Sequence, residues 1–410
     1  MTLFRLVVLS LACFAATCSA TGQESYAALV DANTRFAFHF FQQSVAGKQD
    51  RNVMIAPTAL SLDFALMQNG ASPAAKSDIL GVLNLRNLSP EQINHQSDML
   101  RRALSYVQPQ LPKDTKRPPG TETGERLILA RSLWIGNNTE FQPAFMETAK
   151  QFYAVQPMTL PSNDSAAVDA INSWVSQQTG RKLQVVDSVQ EEDFLLVSTT
   201  WFKGIWSKPF ALNDTHPGDF TLLTQRKKSV SMMSDRREFI YLERPTFQAV
   251  RLDYWHAAMF VFVPAKNSSL SEFEKSLTAA HWVEWTTSMG SRPGYLELPR
   301  FKLEHHADIR SDLEQMGLES LFTKFNSFSP AVRNPEGARL TRVIQKISLN
   351  VDEKGTEIVS VGVMAGVLGG IIVGQKPEEP FRMIVNRPFF FAIVDKETNA
   401  ILYMGAVVEP

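Results

Sequence analysis

Apolar positions recur at helical spacing through the first part of the chain and gather into strand-like runs in the second. From Ser25 to Gln43, "YAALVDANTRFAFHFFQQ" repeats apolar residues every three to four positions and predicts an amphipathic helix. "APTALSLDFALMQNGA" (56–71) predicts a second, with Pro57 tolerated at its start and Gly70 near its end. "AAVDAINSWVSQQTG" (166–180) predicts another, closed by Gly180. Beyond it, β-branched and aromatic runs bounded by turn residues predict strands over 193–206, 249–265, 294–304 and 342–353. The tail "PFFFAIVDKETNAILYMGAVV" (388–408) reads as a hairpin turning at "DKETN". Helices mostly first and strands mostly later predict an α+β fold rather than a parallel α/β one. Residues 108–125, rich in proline and charge, read as a loop, and there is no internal repeat or clean inter-domain linker.

One stretch fits neither period. After Asp352, Glu353, Lys354 and Glu357, the residues from Ile358 to Gly374 carry no ionisable side chain, and five of these seventeen are glycine. A membrane span is disfavoured. Seventeen residues is at the short limit, and each glycine costs a helix about 0.8–1 kcal/mol relative to alanine. The spacings in "GVMAG" and "GIIVG" do not change that, and "GVMAGVLGG" lacks the spacing of a dinucleotide fingerprint.

Composition narrows the classes. With 410 residues, 44% hydrophobic and 20% charged, the chain can bury a sizeable core. A formal net charge of -1 gives no basic surplus for nucleic acid or an anionic membrane. Residues 1–20, "MTLFRLVVLSLACFAATCSA", have one base, an apolar run and a small-residue end, the layout of a secretory leader cleaved after Ala20. Its loss removes Arg5 and takes the charge to -2. Both cysteines, Cys13 and Cys18, lie in the leader, so the mature chain is expected to carry no disulfide. The residues before Cys18 fit a lipid-anchor signal poorly. The expected location is extracellular, or periplasmic in a bacterial host. Asn87, Asn137, Asn163, Asn213 and Asn267 begin glycosylation triplets, which count only where the host glycosylates.

Catalytic and metal signatures do not emerge. There is no nucleophile-elbow, zinc-protease or P-loop pattern. His305 and His306 are neighbours on a strand, face opposite ways and do not share a metal readily. Glu191–Glu192 and Glu378–Glu379 read as solvated charges. Lys113, Lys116 and Arg117 are interleaved with Asp114, Glu122 and Glu125, which weakens any polyanion site there. No enzyme activity, cofactor or metal is expected.

Six segments carry a resemblance. "NVMIAPTALSLDFALMQNGA", "INSWVSQQTGRKL", "LVSTTWFKGIWSKPF", "LELPRFKLEHHADIRSDLEQMGLESLF", "VDEKGTE" and "NRPFFFAIVDKETNAILYMG" follow in this order from about residue 52 to 405. Together they are similar to the serpin (serine protease inhibitor) family. The resemblance implies a mostly helical N-terminal half around a central mixed sheet with further sheets, in one domain over 21–410. It also implies an exposed reactive-centre loop at about 353–380 whose hinge is Glu353, Gly355, Thr356 and Glu357. In that family a protease cuts the loop and is trapped as an acyl-enzyme when the loop inserts as a new strand of the central sheet. The implied partner is thus a serine protease in covalent complex with a monomer. An alternative is a non-inhibitory binding or storage protein of the same fold.

The uncharged loop suits that task, because an unpaired charge is very costly to bury. β-branched Ile358, Val359, Val361, Val363 and Val367 favour strand geometry, and the glycines limit premature pairing. Alternation should carry Thr356, Ile358, Ser360, Gly362 and Met364 to the core side and leave Glu357 outside. Thr356 is expected near solvent while the loop is intact. About 14 inserted residues at ~3.3 Å each would reach roughly 45 Å. Counting from Glu353 by the family's spacing puts the scissile bond at Gly369–Gly370, with Leu368–Gly369 the alternative. Counting back from Pro388 points nearer Gly374–Gln375, because the loop is about five residues longer than the family's usual length on that side. The apolar bait, whose distal half has Lys376 as its one base, favours elastase-like or subtilisin-like targets over trypsin-like ones.

Two features depart from the family pattern. Ile358 is bulky where small residues are usual. The polar shutter of asparagine, serines and histidine is matched here by Ser198, by Ala56 with Ala59, and by Gln345. Trp206 does match the family's tryptophan where insertion begins.

Overall fold

A computed structural model describes residues 25–105, 125–136, 139–179, 186–189, 194–324, 326–333, 340–341, 343–356 and 379–410. Helices α1 (Ala27–Val45), α2 (Pro57–Met67), α3 (Pro73–Val82), α4 (Pro90–Ala103), α5 (Pro143–Tyr153) and α6 (Asp164–Thr179) occupy the first half. The short α7 (Leu270–Ser276) and α8 (Ala279–Thr287) follow later. Proline stands at the first turn of α2 through α5, where a missing N–H costs nothing. α4 begins with a capping box between Ser89 and Gln92. Every residue of α2 except Asp63 is buried, as expected of a helix apolar on all sides.

Among the described residues the strands form two sheets. The smaller runs β10 (Phe301–Asp308), β11 (Ile344–Asp352), β12 (Gly355–Thr356), β4 (Phe194–Ile205), β2 (Arg126–Ile135), β3 (Val155–Thr159). The larger runs β1 (Val53–Ile55), β15 (Ile401–Val407), β14 (Phe389–Asp395), β8 (Ala257–Pro264), β7 (Phe247–Asp253), β6 (Lys227–Arg244), β9 (Gly290–Pro299), β13 (Phe381–Ile384), with β5 (His216–Thr221) also on β6. β8, β14 and β15 are buried at every position, so the C-terminal hairpin lies in the middle of the core. Phe389, Phe390 and Phe391 there are fully buried, and Phe390 packs edge-on against Phe41 of α1.

Two runs that read as single strands are divided. Residues 249–265 contain β7, a turn at Tyr254–His256, and β8. The turn is held from afar: the Glu125 carboxylate accepts the His256 and Ala257 N–H groups at 2.6 and 3.0 Å. Residues 294–304 pass from β9 in the larger sheet to β10 in the smaller one, changing sheets at Arg300. Pro299 has no N–H to extend the ladder, and the Arg300 N–H donates to the Ser231 carbonyl instead. That crossing places the Arg300 side chain at the head of the smaller sheet.

Candidate functional site: a hinge held in the central sheet

β11 turns through Glu353 and Lys354 into β12, which pairs antiparallel with β11 on one side and β4 on the other. β11 and β4 are therefore parallel. Among the described residues, Gly355 and Thr356 alone join them; no ladder runs directly between β11 and β4. The smaller sheet is in effect two halves bridged at one end by two residues.

Gly355 is obligatory for this bridge. Its φ is +154°, and a Cβ would lie 2.0 Å from the Gly204 carbonyl oxygen. Thr356 is 2% exposed, and its hydroxyl shares a hydrogen bond with the hydroxyl of Tyr254. The expectation of a solvent-exposed Thr356 in the uncut chain is thus corrected. The Tyr254 turn supplies a buried hydroxyl and an aromatic wall that make the inserted position favourable. Tyr254 in turn stacks on Trp206, ring centroids 4.4 Å apart and planes 11° from parallel.

Trp206 closes the head of the site. Its indole N–H donates to the Asp352 carbonyl at 2.8 Å, and its backbone N–H to the Lys354 carbonyl at 2.9 Å. Glu353 is the ionic latch. Arg300 donates to its carboxylate from Nε at 2.8 Å and from Nη2 at 2.6 Å, and the Thr215 hydroxyl donates as well. Burial pushes the Glu353 pKa up, but the hydrogen bonds from Arg300 and Thr215 and the Arg300 charge outweigh it, leaving the carboxyl below its ordinary 4.5.

A depressed carboxyl stabilises the fold above its unfolded pKa, and that contribution is lost as pH falls through the folded value. The hinge should therefore loosen selectively below about pH 4.5. Glu353→Lys would set like charges face to face. The expected loss is about 2 kcal/mol, below the ~3–5 kcal/mol of a fully buried pair, because the Arg300 side chain is 41% exposed. Thermal melts at pH 7 should show it, and adding Arg300→Glu should restore part of the loss.

The shutter candidates come together only in part. The Gln345 side-chain amide donates to the Ala56 carbonyl at 3.5 Å, at the edge of bonding range. Ser198 instead faces Arg131 across the β2–β4 ladder and lies against Asp63. Arg131 donates from Nε to Asp63 at 2.6 Å and from Nη2 to the Ala59 carbonyl at 3.4 Å, with 1% of its side chain exposed. A buried ion pair between α2 and β2 thus stands beneath the sheet beside Ser198. Burial raises the Asp63 pKa against the pull of Arg131. Sequence reading missed Arg131–Asp63, Arg300 and Tyr254 as members of the site. The "LPRFKLE" segment contains Arg300 but shows nothing of its partner.

Glu357, Leu368, Gly369 and Gly370 lie outside the described residues. His305 and His306 sit on β10, and no group of three or more potential metal ligands occurs among the described residues. No described helix is long and apolar enough to cross a membrane.

A family model described as Serpin (serine protease inhibitor) matches residues 31–410. Alpha-1-antitrypsin of Sus scrofa is 26% identical over 384 residues, 92% of this chain and 85% of the relative. Antithrombin-III of Homo sapiens is 26% identical over 396 residues, covering 93% and 82%. Among solved structures, native Tengpin, a thermophilic serpin, superposes with a TM-score of 0.79 at 23% identity, over 93% of this chain and 94% of that one. A thyroxine-binding globulin complex with thyroxine gives 0.79 at 22% identity, over 93% and 99%. With a family match over nearly its whole length, and the two-residue strand Gly355–Thr356 held between two parallel strands of its smaller sheet, this chain belongs to the serpin family.

Proposed function

We propose that this serpin is a secreted suicide inhibitor of an elastase-like or subtilisin-like serine protease. The observation that carries the reading is the hinge. Gly355 and Thr356 already occupy the space between β11 and β4 that a longer inserted strand would fill. The residues that would follow them inward, 358–374, carry no charge to strand in the core. The protease serine oxygen adds to the Gly369 carbonyl, the Gly370 amine leaves with a proton, and an ester joins the two proteins. Insertion then carries the ester away from its docking position before water reaches it.

The experiment is incubation with a panel of serine proteases, then a denaturing gel and mass spectrometry of the released peptide. An SDS-stable complex with elastase or subtilisin, and a released peptide Gly370–Pro410, is the expected result. Preference for trypsin with cleavage after Lys376 would reject both target class and register.

A second reading is supported by Ile358, whose bulk at a core-facing position would slow insertion, and by the buried Arg131–Asp63 pair, which ties β2 to α2. On it the loop is cut without trapping, and the fold serves binding, as it does in the thyroxine-binding globulin complex with thyroxine. Clean cleavage with no covalent complex across the panel would select it.

A further inference from the structure

The hairpin of β7 and β8 has its Tyr254 turn at the hinge. Its other end, about seven residues or ~23 Å of strand away, borders a cleft. The β6–β7 turn, the residues after β8 and the β13–β14 linker enclose a volume of about 660 Å³. That lies within the ordinary range for a small-molecule site, ~300–1,000 Å³.

Its charge is one-sided. Among the described residues Arg244, Lys266, Arg382 and Arg387 line it, against the one carboxylate of Glu243. Glu243 is itself engaged by Arg292, at 3.5 Å. Arg244 and Arg382 reach carboxylates only at 3.8 and 3.4 Å, and these are outside the cleft, on Glu284 and Glu297. Lys266 and Arg387 have no ion-pair partner among the described residues.

Arg387 separates this cleft from an ordinary basic surface. Its guanidinium is half-buried and held by backbone rather than by an acid. Nε and Nη2 donate to the Pro264 carbonyl at 2.9 and 2.7 Å, and Nη1 to the Asn386 side-chain oxygen at 3.2 Å. Burial lowers its pKa, a penalty that an anion in the cleft would relieve. These bonds use three of the five guanidinium N–H groups and fix its orientation, leaving one N–H each on Nη1 and Nη2 for a carboxylate or phosphate oxygen.

We propose that the cleft is a binding site for a small polyanion carrying two or more carboxylate or phosphate groups. Arg387 takes one group, and Arg244, Lys266 and Arg382 take the rest. Such a ligand would span three elements. Arg382 lies on β13, an edge strand whose one ladder partner among the described residues is β9. Occupancy would tie β13 to the ends of β6 and β8.

The test is calorimetric titration of the full chain with propane-1,2,3-tricarboxylate and, separately, with tripolyphosphate. Sodium chloride at matched ionic strength is the control. One saturable equivalent per chain is expected, with slower amide exchange over Phe381–Ile384 in the bound state. Binding of one probe and not the other assigns the head group. Lys266→Glu, at an exposed position, should leave the melting curve unchanged and weaken binding by about tenfold, equivalent to ~1.4 kcal/mol. Arg387→Gln should weaken it at least as much. No saturable binding, several equivalents per chain, reproduction by chloride, or affinity unmoved by both substitutions would overturn the proposal.

Discussion

Clipping the loop between Val363 and Gly374 should raise the melting temperature well above that of the intact chain. β11 and β4 are parallel and, among the described residues, are joined only through Gly355 and Thr356. A strand continuing from β12 would run antiparallel to both and complete two ladders. Each ladder hydrogen bond contributes about 1 kcal/mol net. Roughly ten of them, with the apolar burial of the loop's valines, outweigh the ordering of a segment no longer tied at both ends. In a domain of this size that corresponds to a rise of roughly 10 °C or more. Calorimetry of intact and clipped protein makes the comparison. A clipped form that melts at or below the intact one would show that the loop stays out, and the non-trapping reading would replace the inhibitory one.

The second large effect is expected from Thr356→Arg. Thr356 is 2% exposed and touches the Tyr254 hydroxyl, which offers no negative charge. A guanidinium there is buried without a counter-ion, at about 3–5 kcal/mol. In the uncut chain the variant should expel β12 and lower the melting temperature. After cleavage the same penalty delays insertion while deacylation proceeds at its own rate, so the protease escapes. The number of inhibitor molecules consumed per protease inactivated should rise several-fold, with cleavage at the same bond. Glu357→Arg, of opposite parity in a strand, is the control and should trap like the parent. Equal trapping by both variants would reject the assigned parity and the insertion mechanism.

Local pattern foretold much of the fold. The helical spacing over 25–43 became α1, Pro57 opened α2, and the tail hairpin turned where "DKETN" stands, between β14 and β15. These elements answer to neighbours a few residues away, through periodicity, capping and turn chemistry. The two divided runs do not. Tyr254–His256 turns because Glu125, distant in sequence, accepts the His256 amide and the next one along. Nothing in the alternation of "AVRLDYWHAAMFVFVPA" announces that.

The site shows the same division. That charge clusters at Asp352–Glu357 and is absent from Ile358 to Gly374 is written in residue types alone, and a hinge at Glu353–Glu357 is what the family resemblance implies. That the hinge is already engaged depends on groups brought from far along the chain. Arg300 is 53 residues from Glu353, Tyr254 is 102 from Thr356, and Arg131 is 68 from Asp63. Such pairings carry no periodic signal. They depend on which sheet a strand enters and where it leaves, as when the chain crosses from β9 to β10 and delivers Arg300. Residue order alone set the local elements and the uncharged character of residues 358–374, because both follow from side-chain chemistry and short-range spacing. The latch, the burial of Thr356 and the ion pair beneath the sheet came only with the assembled fold, because each is a contact between segments whose proximity exists once the core has formed.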